Sequence, residues 1–405
     1  MYRYVTELKA LVIDIDSFEK MDYSAWDDIA GNYACLFLTL NEKLGECLAQ
    51  RYGKTAVFTL TKYLQQFAPT PVMHGAVLKI LNVKTTKLAY VSCNINFLKR
   101  ALTYCSGTIW ITKQITYEDI STSPDIICMD FPYFMNHLKS GNGGFFCEKC
   151  LANSENKMGS IVPVRFPIGE KAVTIFVLGR YYGYTHYMIQ KHPYSAAIYW
   201  NKKMGSKSFG CFDETFSRMY QSAVKLIGKQ VHIDGVCAVP PHRGDKSRFH
   251  QMVSSISERF QIENLEENFI CIKDYPKQRG MSSYGRQENI VGAFQYNGNL
   301  DGKTVILLDD VVTTGSTLGE CVKTLYQAGA ANVIPVVLAV NQFPGNYWSS
   351  EAPQVICPHC NDSMHLLVNS KNRSFFYSCY RCKNSLDFIA GWQQLCNTIN
   401  NENYP

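Results

Sequence analysis

The 405-residue chain has no apolar run long enough to span a bilayer, and its opening MYRYVTELKALVIDID lacks the basic, apolar and small-residue order of a secretory leader. Both absences lead to the expectation of a cytoplasmic protein with no membrane partner. Charge of one sign is scarce as well: 40 basic against 34 acidic residues leave a formal +6 spread along the chain, a weak bias toward anionic partners. With 18% charged and 46% apolar residues, the composition excludes a disordered chain and describes a globular one. At this length two or three hydrophobic cores are expected. Cysteine, by contrast, is plentiful at sixteen residues. A disulfide framework belongs to short secreted chains, so these are read as reduced thiols or metal ligands, and their spacing decides which.

Three blocks separate on pattern. Residues 1–140 alternate apolar strand-like runs (KALVIDID, KLAYVSC, GTIWIT) with a helical stretch around residues 26 to 52, which reads as an α/β domain of Rossmann-like type. The polar, glycine-rich KSGNGG (139–144) marks a boundary. Residues 145–345 alternate again, through AVTIFVL, a helix near 213–228, VHIDGVCAV, a helix near 247–260, NFICI, KTVILLDD, a helix from 317, and VIPVVLAV. That pattern predicts a second parallel-sheet α/β domain. Residues 353–405 carry cysteine pairs.

The most informative stretch is Val305 to Thr317, VILLDDVVTTGST. An almost wholly apolar strand runs into Asp309 and Asp310 and then into Thr313, Thr314, Gly315, Ser316 and Thr317. Leu318, Cys321, Val322 and Leu325 follow at helical spacing, with Gly329 as a stop. A loop of small residues between a strand end and a helix N-terminus leaves backbone N–H groups and the helix dipole open to a phosphate. The two carboxylates upstream suit a vicinal diol or a magnesium ion. Together they describe a sugar-phosphate site. An ordinary strand-to-helix turn with hydroxyl caps is the alternative.

The stretch resembles the phosphoribosyl-diphosphate signature of type I phosphoribosyltransferases. With VCAVPPHRGDKSRFHQ and KDYPKQRGMSSYGRQENIVGAF before it, the order resembles that of the ComF-like members. The resemblance implies a magnesium-dependent transferase using phosphoribosyl diphosphate, with Asp309 and Asp310 on the ribose hydroxyls and Thr313–Thr317 on the 5′-phosphate. It places Pro240, Pro241, His242 and Arg243 in the pyrophosphate-side loop. Lys273, Lys277, Arg279 and Arg286, against the single acid Asp274, would form a cationic loop closing over the leaving pyrophosphate; a merely solvated loop is the alternative. The chain departs from the family's common RGFNQ, having SRFHQ at Ser247–Gln251. No residue declares the acceptor.

CPHC (Cys357, Cys360) and CYRC (Cys379, Cys382) are two knuckles separated by 18 residues, the pattern of a four-thiolate Zn2+ ribbon, with HLLVNSKNRSFFYS as a hairpin between them. Phe375, Phe376 and Tyr377 could stack on nucleic-acid bases, but four basic against three acidic residues in this block favour structural packing. CEKC (Cys147, Cys150) is half a metal site, to be completed by Cys211, His186, His192 or a second subunit. The aromatic and basic tract at 180–200 reads as strand and helix packing.

In the first block, ALVIDIDSF ends a strand with Asp14 and Asp16, a spacing similar to the first motif of haloacid dehalogenase-like phosphatases, where the first acid is the nucleophile and the second the general acid. That family's later GDSxxD acids correspond here to Ser92, Cys93, Asn94, Asn96 and Phe97, so the resemblance implies a degenerate domain. Three functions stay open: a phosphoribosyltransferase with an unknown acceptor; a non-catalytic phosphoribosyl sensor or competence-type protein- or DNA-binding module, with a homo-oligomer or protein partner; and a phosphatase at Asp14 and Asp16.

Overall fold

The computed structural model describes residues 8–19, 22–60, 68–151, 159–169, 171–183, 188, 191–245, 247–273, 290–343 and 354–401. Its first sheet holds β1 (Ala10–Asp14), β2 (Ala34–Thr39), β3 (Val57–Thr59), β4 (Leu88–Ser92), β5 (Gly107–Ile111) and β6 (Ile126–Cys128). All pair in parallel, in the order β3-β2-β1-β4-β5-β6. Helices cover both faces, so the central strands are apolar throughout: Leu11, Val12, Ile13, Tyr90 and Val91 are all buried. The helical stretch expected over 26–52 is instead two helices, Tyr23–Asn32 and Glu42–Tyr52, with β2 between them. ACLFLT is a short apolar run, and periodicity alone does not separate a buried strand from a buried helix. Asp22 and Asn41 cap the two helices by accepting from backbone N–H groups.

The second sheet is built from β7 (Val162–Ile168), β8 (Lys171–Val177), β9 (Arg180–Tyr182), β10 (Gly235–Ala238), β11 (Glu263–Asn264), β14 (Thr304–Val312) and β15 (Asn332–Gln342). Its order is β11-β10-β14-β15-β8-β7, with β9 also pairing β15. Every pairing is parallel except β7 with β8. NFICI lies outside this sheet: β12 (Phe269–Cys271) forms a separate antiparallel pair with β13 (Phe294–Tyr296). Along β14 the side chains alternate between two cores. Val305 and Leu307 pack with Leu318, Cys321, Val322 and Leu325 of the helix Ser316–Gln327. Ile306 and Leu308 pack with the helices Asp213–Ile227 and His250–Phe260. Asp309 and Asp310 continue that alternation at the strand's C-terminal end.

The C-terminal block folds as β16 (Met364–Val368), β17 (Phe375–Cys379) and β18 (Ser385–Asp387), an antiparallel ribbon covered by the helix Phe388–Asn401. The ribbon leans on the helix Pro193–Lys202, where Trp200 Nε1 donates to the Leu366 carbonyl at 3.2 Å.

The first two sheets are sewn together. Arg165 N donates to Ile115 O at 2.8 Å, Phe343 N to Ser121 O at 2.9 Å, and the buried Gln342 amide bridges Ile120 and Ser123. Arg180 lies at the centre, 1% exposed. It makes two parallel bonds to Glu148, at 2.9 and 2.8 Å, and reaches Asp125 at 3.2 Å. Burial opposes the Glu148 charge, yet Arg180 and His192 outweigh it and hold its pKa well below the usual range. Gly143 and Gly144, in the glycine-rich boundary, are themselves buried. Among the described residues no helix is long and apolar enough to cross a membrane.

Candidate functional site

Asp309 and Asp310 lie in the last part of β14, which stays paired with β15 as far as Val312. Next to it, β10 leaves the sheet in parallel, with Ala238 opposite Leu308 and Val239 N donating to Leu308 O at 2.9 Å. The segment Pro240, Pro241, His242, Arg243 therefore starts at the same edge as the two acids, and Arg243 is exposed there. The acids themselves differ. Tyr220 fixes the Asp309 carbonyl with a 2.6 Å hydrogen bond, and Asp309 Oδ1 accepts from the Asp310 N–H at 2.8 Å. Burial and the adjacent Asp310 raise the Asp309 pKa to about 7. Burial acts on Asp310 as well, but Lys202 and Arg248 overcome it and bring its pKa down to about 2. One oxygen, Asp310 Oδ2, receives both cations: Lys202 Nζ at 2.7 Å and Arg248 Nη2 at 2.8 Å.

The loop after the acids turns at Gly315, whose φ of +77° lies in the left-handed region. Gly315 is the N-cap of the helix Ser316–Gln327 and has no side chain to occupy the first-turn N–H groups. A Cβ there would also collide with the ring of Phe166, which packs against the turn. Phe166 in turn meets Tyr117 edge-on at 5.0 Å, and the Tyr117 hydroxyl donates to the Thr313 carbonyl. The loop is thus buttressed by an aromatic pair, one member of which belongs to the first sheet's domain. Beside it opens a cleft of about 1230 Å³ whose walls include Thr313, Thr314, Ser316, Tyr117 and Glu118.

Residues 272–362 match the family model described as "Phosphoribosyl transferase domain". The chain carries such a domain. It is 35% identical over 81 residues to competence protein F of Haemophilus influenzae, a match covering 19% of this chain and 35% of that one. The similarity thus spans about a third of that relative's length. To the bifunctional protein PyrR of Haemophilus ducreyi it is 28% identical over 131 residues, 32% of this chain and 69% of the relative. Among solved structures, an adenine phosphoribosyltransferase overlaps 32% of this chain and 69% of its own at 14% identity, with a TM-score of 0.24.

The structure brings Asp309, Asp310 and the Thr313–Thr317 loop of the matched segment to one edge with the start of the Pro240–Arg243 loop, which lies outside it. Lys277, Arg279 and Arg286 lie outside the described residues. Among the described residues, two cations that sequence reasoning missed lie beside the acids. Arg248 sits inside the departing SRFHQ, and its neighbours explain its direction: Ser247 and His250 both hold Glu266, at 2.5 and 2.9 Å, which leaves Arg248 turned toward Asp310. Lys202 is more than a hundred residues upstream, and nothing local signals it.

In the ribbon the four sulfurs of Cys357, Cys360, Cys379 and Cys382 lie within 4.8 Å of one another, with Cys357–Cys382 and Cys360–Cys379 both at 3.5 Å. Tetrahedral zinc with bonds near 2.3 Å sets sulfurs about 3.8 Å apart, so the donor set fits. The two knuckles repeat each other: Asn361 and Lys383, one residue past each pair, have φ of 58° and 63° and donate to Cys357 O and Cys379 O at 3.0 Å. Tyr377 is fully buried and Phe375 stacks on Phe212, so these aromatics serve packing. Cys147 is buried on the short helix Phe146–Leu151 beside Tyr194. Among the described residues, neither Cys147 nor Cys150 joins a group of three or more potential metal ligands.

Asp14 and Asp16 do sit at the C-terminal edge of the first sheet, at the end of its central strand β1. Both are engaged internally. Asp14 accepts from Ser92 Oγ at 2.7 Å, and Asp16 accepts from Thr39 Oγ1 and Leu40 N, each at 2.6 Å. Burial raises the Asp14 pKa.

Proposed function

We propose that the central domain binds phosphoribosyl diphosphate with magnesium and transfers its phosphoribosyl group to an acceptor. The observation that carries this reading is the juxtaposition of Asp309 and Asp310 with the Gly315 turn, under two cations held on Asp310. The first-turn N–H groups of Ser316–Gln327 and the hydroxyls of Thr313, Thr314, Ser316 and Thr317 receive the 5′-phosphate. The carboxylates receive the ribose hydroxyls and help hold the metal, which shields charge on the pyrophosphate. The bond from the anomeric carbon to the pyrophosphate oxygen breaks as the acceptor's lone pair forms the new bond. Pyrophosphate leaves with the bonding pair, and the acceptor's proton passes to solvent. Cationic groups act on the leaving pyrophosphate, where negative charge develops. His242 and Arg243 start from the edge that suits this role, and the 273–286 segment supplies further cations.

In the same reading, the ribbon holds structural zinc through Cys357, Cys360, Cys379 and Cys382, and the first domain is a degenerate haloacid dehalogenase-like scaffold rather than a hydrolase. Its two acids accept from Ser92, Thr39 and Leu40, and the positions that would carry the magnesium acids fall among Ser92, Cys93, Asn94 and Asn96, with Phe97 in the second acid's place. Calorimetry with phosphoribosyl diphosphate and magnesium tests the central claim. Wild type should bind, and the Asp309→Asn, Asp310→Asn double variant should not while staying folded. Equal binding by both would overturn the assignment. Pyrophosphate release across a panel of labelled acceptors then separates transferase from sensor.

A further inference from the structure

Lys202 is the last residue of the helix Pro193–Lys202, and the helix has a fixed seat. Tyr194 donates to Leu338 O of β15 at 2.8 Å on one side. On the other, Trp200 donates to Leu366 O, and Ala196 packs in one core with Cys357, Cys379 and Trp392 of the ribbon. A lysine in the last turn of a helix commonly serves the helix's own carbonyls and dipole. This one does not stop there: its ammonium reaches another element, 2.7 Å from Asp310 Oδ2, and remains 30% exposed. Arg248, 54% exposed, already neutralises the same oxygen at 2.8 Å. Two cations therefore share one carboxylate oxygen, with the neighbouring Asp309 as the second acid of the cluster. A ribose diol donating to the same carboxylate competes with the two cations for its lone pairs, and a phosphorylated ligand offers a displaced cation another anion. An ammonium on a flexible stem, with three donors, suits a phosphate oxygen.

We infer that Lys202 is a pyrophosphate-binding residue, parked on Asp310 in the free protein and transferred to the pyrophosphate moiety when the ribose engages the acids. The inference rests on the reading of the domain as a phosphoribosyl-diphosphate binder and adds a residue from outside its matched segment. It also gives the ribbon a functional position, because the ribbon forms one wall of the seat from which Lys202 is presented.

The test compares wild type, Lys202→Ala and Lys202→Arg by calorimetry against three probes with magnesium: phosphoribosyl diphosphate, inorganic pyrophosphate and ribose 5-phosphate. Thermal unfolding of each variant is measured alongside. Lys202→Ala should weaken the first two probes tenfold or more and leave ribose 5-phosphate within threefold, at an unfolding temperature close to wild type. Lys202→Arg should recover most of the loss, since the charge is kept. Unchanged affinity for phosphoribosyl diphosphate in Lys202→Ala overturns the inference. So does an equal loss for all three probes accompanied by a lower unfolding temperature that Lys202→Arg does not restore, which marks a structural role. If wild type binds none of the three, the reading of the domain itself fails, and that outcome is distinct from failure of Lys202 alone.

Discussion

Replacing Asp309 by Asn should make the free protein more stable at pH 8 while destroying its ligand site. Asp309 is held at about 7 against an ordinary 3.8, a difference that corresponds to a ceiling of about 4 kcal/mol at 1.36 kcal/mol per unit. The side chain is only partly buried, so solvent screens part of that, and about 2 kcal/mol is the expected gain. The sign follows from proton counting. Between roughly pH 4 and pH 7 the native state holds a proton that the unfolded chain has lost, so stability falls as pH rises through this window and levels off above it. Asn carries no such cost, and its amide oxygen can still accept from the Asp310 N–H as Asp309 Oδ1 does. Thermal unfolding without magnesium or ligand, at pH 4 and pH 8, checks the difference. For a domain of this size, about 2 kcal/mol corresponds to a rise of roughly 4–8 °C at pH 8, with near-equality at pH 4. A variant no more stable than wild type at pH 8, or stabilised equally at both pH values, would refute the claim that the two acids share an electrostatically strained site.

Gly315→Val should abolish phosphoribosyl-diphosphate binding and cost roughly 2 kcal/mol or more, because the new side chain meets Phe166 in a left-handed turn; unimpaired calorimetric binding would contradict the assigned role of the loop. Glu148→Gln should destabilise by about 3–5 kcal/mol in urea unfolding followed by tryptophan fluorescence, since it leaves Arg180 in a buried site with half its countercharge gone; a loss under about 1 kcal/mol would show the pair to be solvated. Metal analysis should find one zinc per chain, and Cys379→Ser should lower both zinc content and the unfolding temperature; full zinc retention in that variant would remove Cys379 from the ligand set.

Local chemistry carried the sequence reading furthest. In VILLDDVVTTGST the strand, the turn and the helix start were legible because they are consecutive, and the buried Leu318, Cys321, Val322 and Leu325 lie on the face their spacing predicts. The four ribbon cysteines were legible for the same reason: each knuckle is a short turn with its own backbone geometry. What escaped was everything assembled across the chain. Lys202 and Arg248 meet on Asp310 from two separate elements, and Tyr117 and Phe166 support the loop from two more. β2 was hidden because six consecutive residues, mostly apolar, have no distinctive period. NFICI has the composition of a sheet strand but pairs with β13 instead, a choice made by a partner some 25 residues away.

The seam at Arg180 bears on how this chain can be divided. KSGNGG looks like a place to cut, yet a fragment starting at residue 145 would keep Arg180 and Glu148 while losing Asp125, and would strip Gln342 and Phe343 of the carbonyls they bind. The complementary fragment would expose Asp125 with its guanidinium gone. Neither piece inherits a finished surface, so the second sheet of this protein is not a portable cassette: the break in the sequence pattern and the boundary in stability fall at different places.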